Sequence, residues 1–222
     1  DKDGEKTNQS IRVSQFMSWQ VMNEMENWEE DMDKLLMMLP ILGTVFKKTY
    51  WDPTTKANCS RLVYPKNLVV NYWARSLESS ERVSEIIELS PRQVAERQRS
   101  GIFLDVDLGE SVVPRENSRI EKNNIPRNDE TTPHEFIEQH TFLCLNDDDE
   151  STEDEKNDID DRQLPYIVTI HRASGKVVRI SPRYDETSFV LGGEENNEIL
   201  SIQPIQYYTK FGFVPNPDGG FY

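Results

Sequence analysis

Three histidines and two cysteines are the residues of this sequence best suited to acid–base, nucleophilic or metal chemistry, and their spacing argues against most of it. His134, His140 and His171, with Cys59 and Cys144, match none of the short spacings that close a tetrahedral zinc site. His140 and Cys144 fall on one face of an expected strand, where a base and a thiol are conceivable. Four residues along a strand span about 13 Å, however, which is beyond hydrogen-bond reach. The acidic run beginning at Asn146 offers oxygen ligands at the first, third and fifth positions of a calcium-binding loop. Ser151 stands where that loop needs glycine, and Asn157 where it needs a bidentate glutamate. Gly4-Glu5-Lys6-Thr7 is similar to the end of a phosphate-binding loop, but Glu5 separates the glycine from the lysine. Neither a Gly-x-Ser-x-Gly elbow nor a Gly-x-Gly-x-x-Gly turn occurs. In a chain with 40 acidic residues, any one pair of carboxylates is uninformative as a general acid and base. No catalytic, cofactor-binding or metal-ligating residue is assigned, and the chain is expected to be non-enzymatic.

The 222 residues carry 40 acidic against 25 basic side chains, a net charge of −15, with only 36% apolar residues. That apolar share is below the roughly 45–50% of an ordinary globular chain, so part of the length is expected to lie outside the core. Ten acids and a single Lys156 fall between Asn146 and Asp161, so this stretch holds −9 of the charge and the other 206 residues hold −6. No run approaches the roughly 18 apolar residues of a membrane helix, and the opening Asp-Lys-Asp-Gly-Glu-Lys has no signal-peptide core. A soluble protein is expected. Its acidic surface repels phosphate backbones, and no block of five or six basic residues offsets this. Two cysteines cannot build a disulfide framework, which points to a reducing compartment or to an assembly independent of bridges. The absence of an initiator Met and the stop at Gly-Gly-Phe-Tyr suggest a piece of a longer protein.

The elements follow from periodicity. Val13, Met17, Val21, Met25, Trp28, Met32, Leu35 and Leu39 recur every three or four residues, which predicts helix from about 10 to 39, with a break near Glu26-Asn27 and an end at Pro40. The stripe is expected to be core packing, and Glu24, Glu26, Glu29, Glu30 and Asp33 a solvated face. Thr44–Trp51 and Ala57–Tyr64 flank Asp-Pro-Thr-Thr-Lys as a hairpin, and Leu68–Trp73 and Arg82–Leu89 are further strands. Ser90-Pro91 starts a short helix that ends near Ser100-Gly101. Residues from Gly109 to Pro133 show no apolar period and are expected as loop. Strands are expected at Phe136–Leu145, Pro165–His171, Lys176–Ile180 and Ile202–Phe213, with the acidic stretch 146–161 as a long surface connection. The fold class is therefore α+β: a long amphipathic helix packed on mainly antiparallel sheet, a second short helix and a long acidic loop. In boundaries, 1–104 forms a helix-plus-hairpin portion, 105–135 a linker, and 136–222 the antiparallel remainder of the same domain.

Arg92, Arg97 and Arg99 on the short helix, with Arg75 and Arg82 upstream, form the one locally basic region. Salt bridges to acidic neighbours explain it most simply; a contact to an acidic neighbouring subunit is the alternative. Tyr207, Tyr208, Phe211 and Phe213 are accompanied only by Lys210, which suits core or interface better than a base-stacking platform.

Several blocks in order resemble the portal proteins, or head-to-tail connectors, of tailed bacteriophages. They are Trp28-Glu-Glu-Asp-Met-Asp-Lys-Leu-Leu-Met-Met-Leu-Pro-Ile-Leu-Gly-Thr-Val-Phe-Lys-Lys-Thr-Tyr-Trp-Asp-Pro, Val63-Tyr-Pro-Lys-Asn-Leu-Val-Val-Asn-Tyr, Leu77-Glu-Ser-Ser-Glu-Arg-Val, Leu164-Pro-Tyr-Ile-Val-Thr-Ile with Ser174-Gly-Lys-Val, and Phe211-Gly-Phe-Val-Pro-Asn-Pro-Asp-Gly-Gly-Phe-Tyr. They cover somewhat more than half of the chain; none is a catalytic signature. The resemblance implies a wing-domain portion of a structural subunit that assembles, as a dodecamer, into a ring at one capsid vertex of the virion, made in the host bacterial cytoplasm. It implies as partners the other portal subunits, the terminase that pumps DNA, the capsid and the tail, with DNA passing through the channel without specific binding and no membrane involved. The channel-lining stem and the clip would lie outside this piece. The rival reading is a protein-binding adaptor that uses its acidic loop on a basic partner.

Overall fold

The computed structural model describes residues 4–53, 55–111, 129–145, 163–192 and 198–214. The acidic stretch 146–161, much of the expected linker and the final Pro215–Tyr222 lie outside the described residues. The fold is α+β with antiparallel sheets. Its α-helices among the described residues are α1 (Glu5–Trp19), α2 (Trp28–Leu42) and α3 (Pro91–Arg99). The strands are β1 (Thr44–Asp52), β2 (Ala57–Val63), β3 (Leu68–Val70), β4 (Val83–Leu89), β5 (His134–Leu143), β6 (Leu164–His171), β7 (Val177–Pro182), β8 (Phe189–Gly192), β9 (Glu198–Ile202) and β10 (Tyr208–Gly212). They divide between two compact units.

The first unit runs to Lys66 and adds Arg75–Leu77 and the chain from Gln206 onward. Its sheet has the order β10-β1-β2, with the expected hairpin in register from Phe46↔Val63 to Asp52↔Ala57. The expected helix breaks near Glu26-Asn27 as read, giving two helices. After α1 the chain makes a π turn over Gln20–Glu24, in which Met25 N–H donates to Gln20 C=O at 3.0 Å, and Asn27 at φ 58° then redirects it into α2. Pro40 does not end α2, which runs on to Leu42 and is closed by Gly43 at φ 77°. A proline near the C-terminus leaves only the Leu36 carbonyl without its helical donor, and Leu36 is exposed to water. The α2 stripe works as expected: Leu35 is fully buried, and Trp28, Met32 and Leu39 are half-buried beside Val45 and Phe46 of β1. Leu62 N–H on the edge of β2 donates to Asp31 Oδ2 at 3.1 Å, fixing the helix to the strand. Tyr208, from the aromatic run, is buried in β10 with the Lys48 ammonium 5.3 Å from its ring centroid.

The second unit contains a five-stranded sheet, β3-β4-β5-β6-β7, and the β8-β9 hairpin. Its apolar core lies on one face, where Leu89, Val94, Phe103, Phe136 and Val178 pack together. α3 covers that face. Ser90 Oγ accepts Gln93 N–H and the Gln93 side chain accepts Ser90 N–H, a reciprocal cap completed by Pro91 in the first turn. The following segment returns along β7 through Leu104 N–H to Val178 C=O at 2.8 Å. Three sequence expectations change. The strand read as Leu68–Trp73 stops at Val70, because Asn71–Ala74 forms a turn closed by Ala74 N–H to Asn71 C=O at 3.0 Å. The strand read as Ile202–Phe213 is only β10 (Tyr208–Gly212); Ile202 ends β9, which lies in the other unit. β8, four residues long and bordered by polar sequence, was not expected at all.

Candidate assembly surface

α1 has a helical pattern, but no described element packs closely enough on it to bury a residue. None of its residues is buried; Phe16 is 57% exposed and Trp19 50%, their rings stacked at 6.2 Å, and Ile11, Val13 and Met17 are as open. Here the expectation of core packing fails: the stripe is real, but only its α2 half meets the sheet. Gly4 at the N-cap supplies no side-chain hydrogen bond. A 15-residue helix without a packed face is marginal in water, since nucleation costs more than a few turns return. The outer side of α2 adds Leu36, Met37 and Ile41, also exposed. Apolar side chains gathered in this way mark interaction sites on soluble proteins. The acidic face of Glu24, Glu26, Glu29, Glu30 and Asp33 is solvated as expected, with Lys34 paired to Glu30 at 2.7 Å.

Beneath α2 sits a buried cation. Lys47 is 5% exposed, its Nζ lies 4.9 Å from the centroid of the Trp28 ring, and it makes no hydrogen bond among the described residues. Burial lowers its pKa, and the Asp31 carboxylate opposes the shift. An ammonium that has lost its water for one ring face is poorly compensated. Lys47→Met, measured by chemical denaturation, should therefore raise the stability of this unit by about 1 kcal/mol; a loss of similar size would show the ammonium to be well paired.

The three histidines, unconnected in sequence, all lie in the sheet of the second unit. His134 Nδ1 and His171 Nε2 are 3.2 Å apart, and His171 Nδ1 is 2.8 Å from Ser174 Oγ. The order hydroxyl, imidazole, imidazole has the form of an oriented base and a nucleophile. Ser174, however, sits in the exposed turn between β6 and β7, and its oxygen also accepts Lys176 N–H at 3.3 Å. The chain of bonds closes that turn, together with Gly175 N–H to His171 C=O at 2.8 Å. Burial holds both imidazoles below the ordinary value, and for His171 the neighbouring His134 and Lys176 add to the effect. A base with a depressed folded pKa binds fewer protons folded than unfolded, so the stability is present above about pH 6.5 and is lost as the pH falls toward the folded values. Acid titration of thermal stability should show this loss, and a His134→Phe, His171→Phe variant should show a flatter profile; equal slopes in the two proteins would refute it.

Glu85 and Glu138 face each other directly across β4 and β5 on the buried side, and His140 Nε2 is 3.1 Å from Glu138 Oε1. The imidazole therefore engages a carboxylate two residues away on its own strand, while Cys144, its imagined partner, lies beyond the end of β5. This polar interior was missed from sequence. Its signal was the period of two through His134, Phe136, Glu138 and His140, which places one aromatic and three polar groups on the same face. Among the described residues no cluster of His, Cys, Asp and Glu is arranged to hold a metal ion.

The basic residues do not form one free patch. Arg92 bonds Glu96 one turn along at 3.0 Å, and the Arg97 guanidinium lies 5.6 Å from the Phe103 ring centroid. No described helix is long and apolar enough to cross a membrane. No family model matches this sequence, and no curated protein is significantly similar to it.

Proposed function

We propose that this chain is an architectural subunit of a tailed-phage portal, a ring through which DNA passes and to which a tail attaches. The observation that carries the reading is α1, a helix presenting Phe16, Met17 and Trp19 to solvent and burying none of its own residues. A subunit whose first helix is completed only by a neighbour belongs in an assembly. Side-to-side contacts in a closed ring are heterologous, one patch meeting a different one, so a face left unmatched within the subunit is what such a contact requires. The ordered sequence blocks described above supply the kind of assembly. The net charge of −15 suits a ring that DNA traverses without sticking, because phosphate affinity rises with the number of lysine and arginine contacts. The solvated acids of α2 and the exposed Arg92 and Arg99 of α3 supply the opposite charges that fix register between copies. Imaging the complete gene product under assembly conditions tests the reading: closed rings support it and monomers remove it.

A further inference from the structure

We infer that the second unit carries a groove that binds an extended peptide by strand addition, independently of α1 and of the portal reading. The groove arises from strand lengths. β3, β4 and β5 come level at Val70, Val83 and His140, which are in register with one another. β4 begins there. On one flank the chain of β3 continues as Asn71–Ala74, and on the other β5 continues as Thr141–Leu143. Past Arg82, no strand pairs with that side of β5 among the described residues, and the Asn71–Ala74 turn lines the same opening. The groove has a volume of about 1040 Å³, and Glu81, Arg82, Thr141 and Phe142 are among the residues that line it. Over Thr141–Leu143, β5 pairs with β6 on one side and has no strand on the other among the described residues. Backbone donors and acceptors there are a template for one more strand.

The lining explains what is read. Tyr72 and Trp73 occupy the two central positions of the Asn71–Ala74 turn, anchored by buried Ala74 and packed edge to face at 5.0 Å. Such positions favour Gly, Pro, Asn and Asp for backbone reasons, and bulky aromatics gain nothing there locally. Tyr72 is nonetheless 89% exposed and Trp73 88%, so neither contributes burial to the fold. Rigid aromatics with few torsions are economical contact surfaces, and Trp and Tyr dominate binding hot spots. Gln139, Thr141 and Gln163 contribute amides and a hydroxyl, while Glu81 and Arg82 nearly cancel in charge. The occupant is thus an uncharged, extended peptide segment of a partner protein, with an apolar side chain against the Tyr72–Trp73 pair.

The test is selection of capped synthetic heptapeptides on the immobilised full chain, with the Trp73→Ala chain as counter-selection. The Trp73→Ala chain folds like the unaltered one, because Trp73 is exposed, and their thermal transitions should coincide. Enriched peptides should alternate apolar and polar residues, bind the Trp73→Ala chain at least tenfold more weakly, shift the amide resonances of Thr141–Leu143, and lose affinity when alternate backbone amides are N-methylated. Thr141→Pro should also weaken them. Three results overturn the inference: no enrichment over the counter-selected chain, enriched peptides indifferent to backbone N-methylation, or cellohexaose binding at the aromatic pair in preference to any peptide.

Discussion

On the portal reading, converting Phe16 and Trp19 to aspartate should turn rings into monomers while leaving each subunit folded. Both side chains lie on α1, at least half exposed, so among the described residues the substitutions remove little within the subunit beyond the stacking of the two rings on each other. Aromatic residues at the centre of an interface commonly cost 2 kcal/mol or more each when lost. Placing two carboxylates in that seam adds the cost of burying charge without a partner. A combined penalty of about 4 kcal/mol per interface weakens each contact roughly a thousandfold. In a ring every subunit makes that contact twice, so closure fails. Sedimentation velocity should show the variant as a monomer where the unaltered protein is an oligomer. The subunit's urea midpoint should stay within error, which separates lost assembly from lost folding. Unchanged sedimentation would show that the neighbour meets some other face.

Phe136→Ala should have the largest effect on folding. Phe136 is fully buried at the middle of the five-stranded sheet, with ring centroids 5.4 Å from Phe103 and 5.2 Å from His171. Truncating a buried phenylalanine typically costs about 3–5 kcal/mol, combining lost transfer energy with the cavity left behind. Small domains have only about 5–15 kcal/mol in total, so the second unit should be partly unfolded at 37 °C. The cavity would also border the His134–His171 pair, letting water reach imidazoles now held neutral by burial. The measurement is the urea midpoint by circular dichroism; a fall worth less than about 1 kcal/mol would mean that this face is not the core.

How much of this the sequence revealed depends on whether local pattern alone could decide each feature. The α2 stripe, the β1–β2 hairpin and the Ser90-Pro91 helix start were legible because side-chain period, turn residues and capping are local signals. The α1 stripe was legible as a helix face but not as an unpartnered one: Val13 and Met17 have the same spacing as Leu35 and Leu39, and periodicity gives a direction without naming what lies there. Pro40 misled because its cost depends on which carbonyl it orphans, and near a helix end that carbonyl reaches water. Tyr72 and Trp73 misled in the opposite sense, since aromatic residues raise strand expectation where the backbone in fact turns. The buried Glu85, Glu138 and His140 were hidden because polar residues are read as surface until a strand period places them beside Phe136. The pairing of His134 with His171 rests on contact between residues 37 apart, which no local pattern encodes.

Electron microscopy of the complete gene product, prepared beside its Phe16→Asp, Trp19→Asp variant, tests the central claim most directly. A portal subunit completed by its neighbour predicts closed rings of uniform size with an open central channel, α1 lying in the contact between adjacent subunits, and no rings in the variant. Monodisperse monomers of the unaltered protein under the same assembly conditions would contradict it.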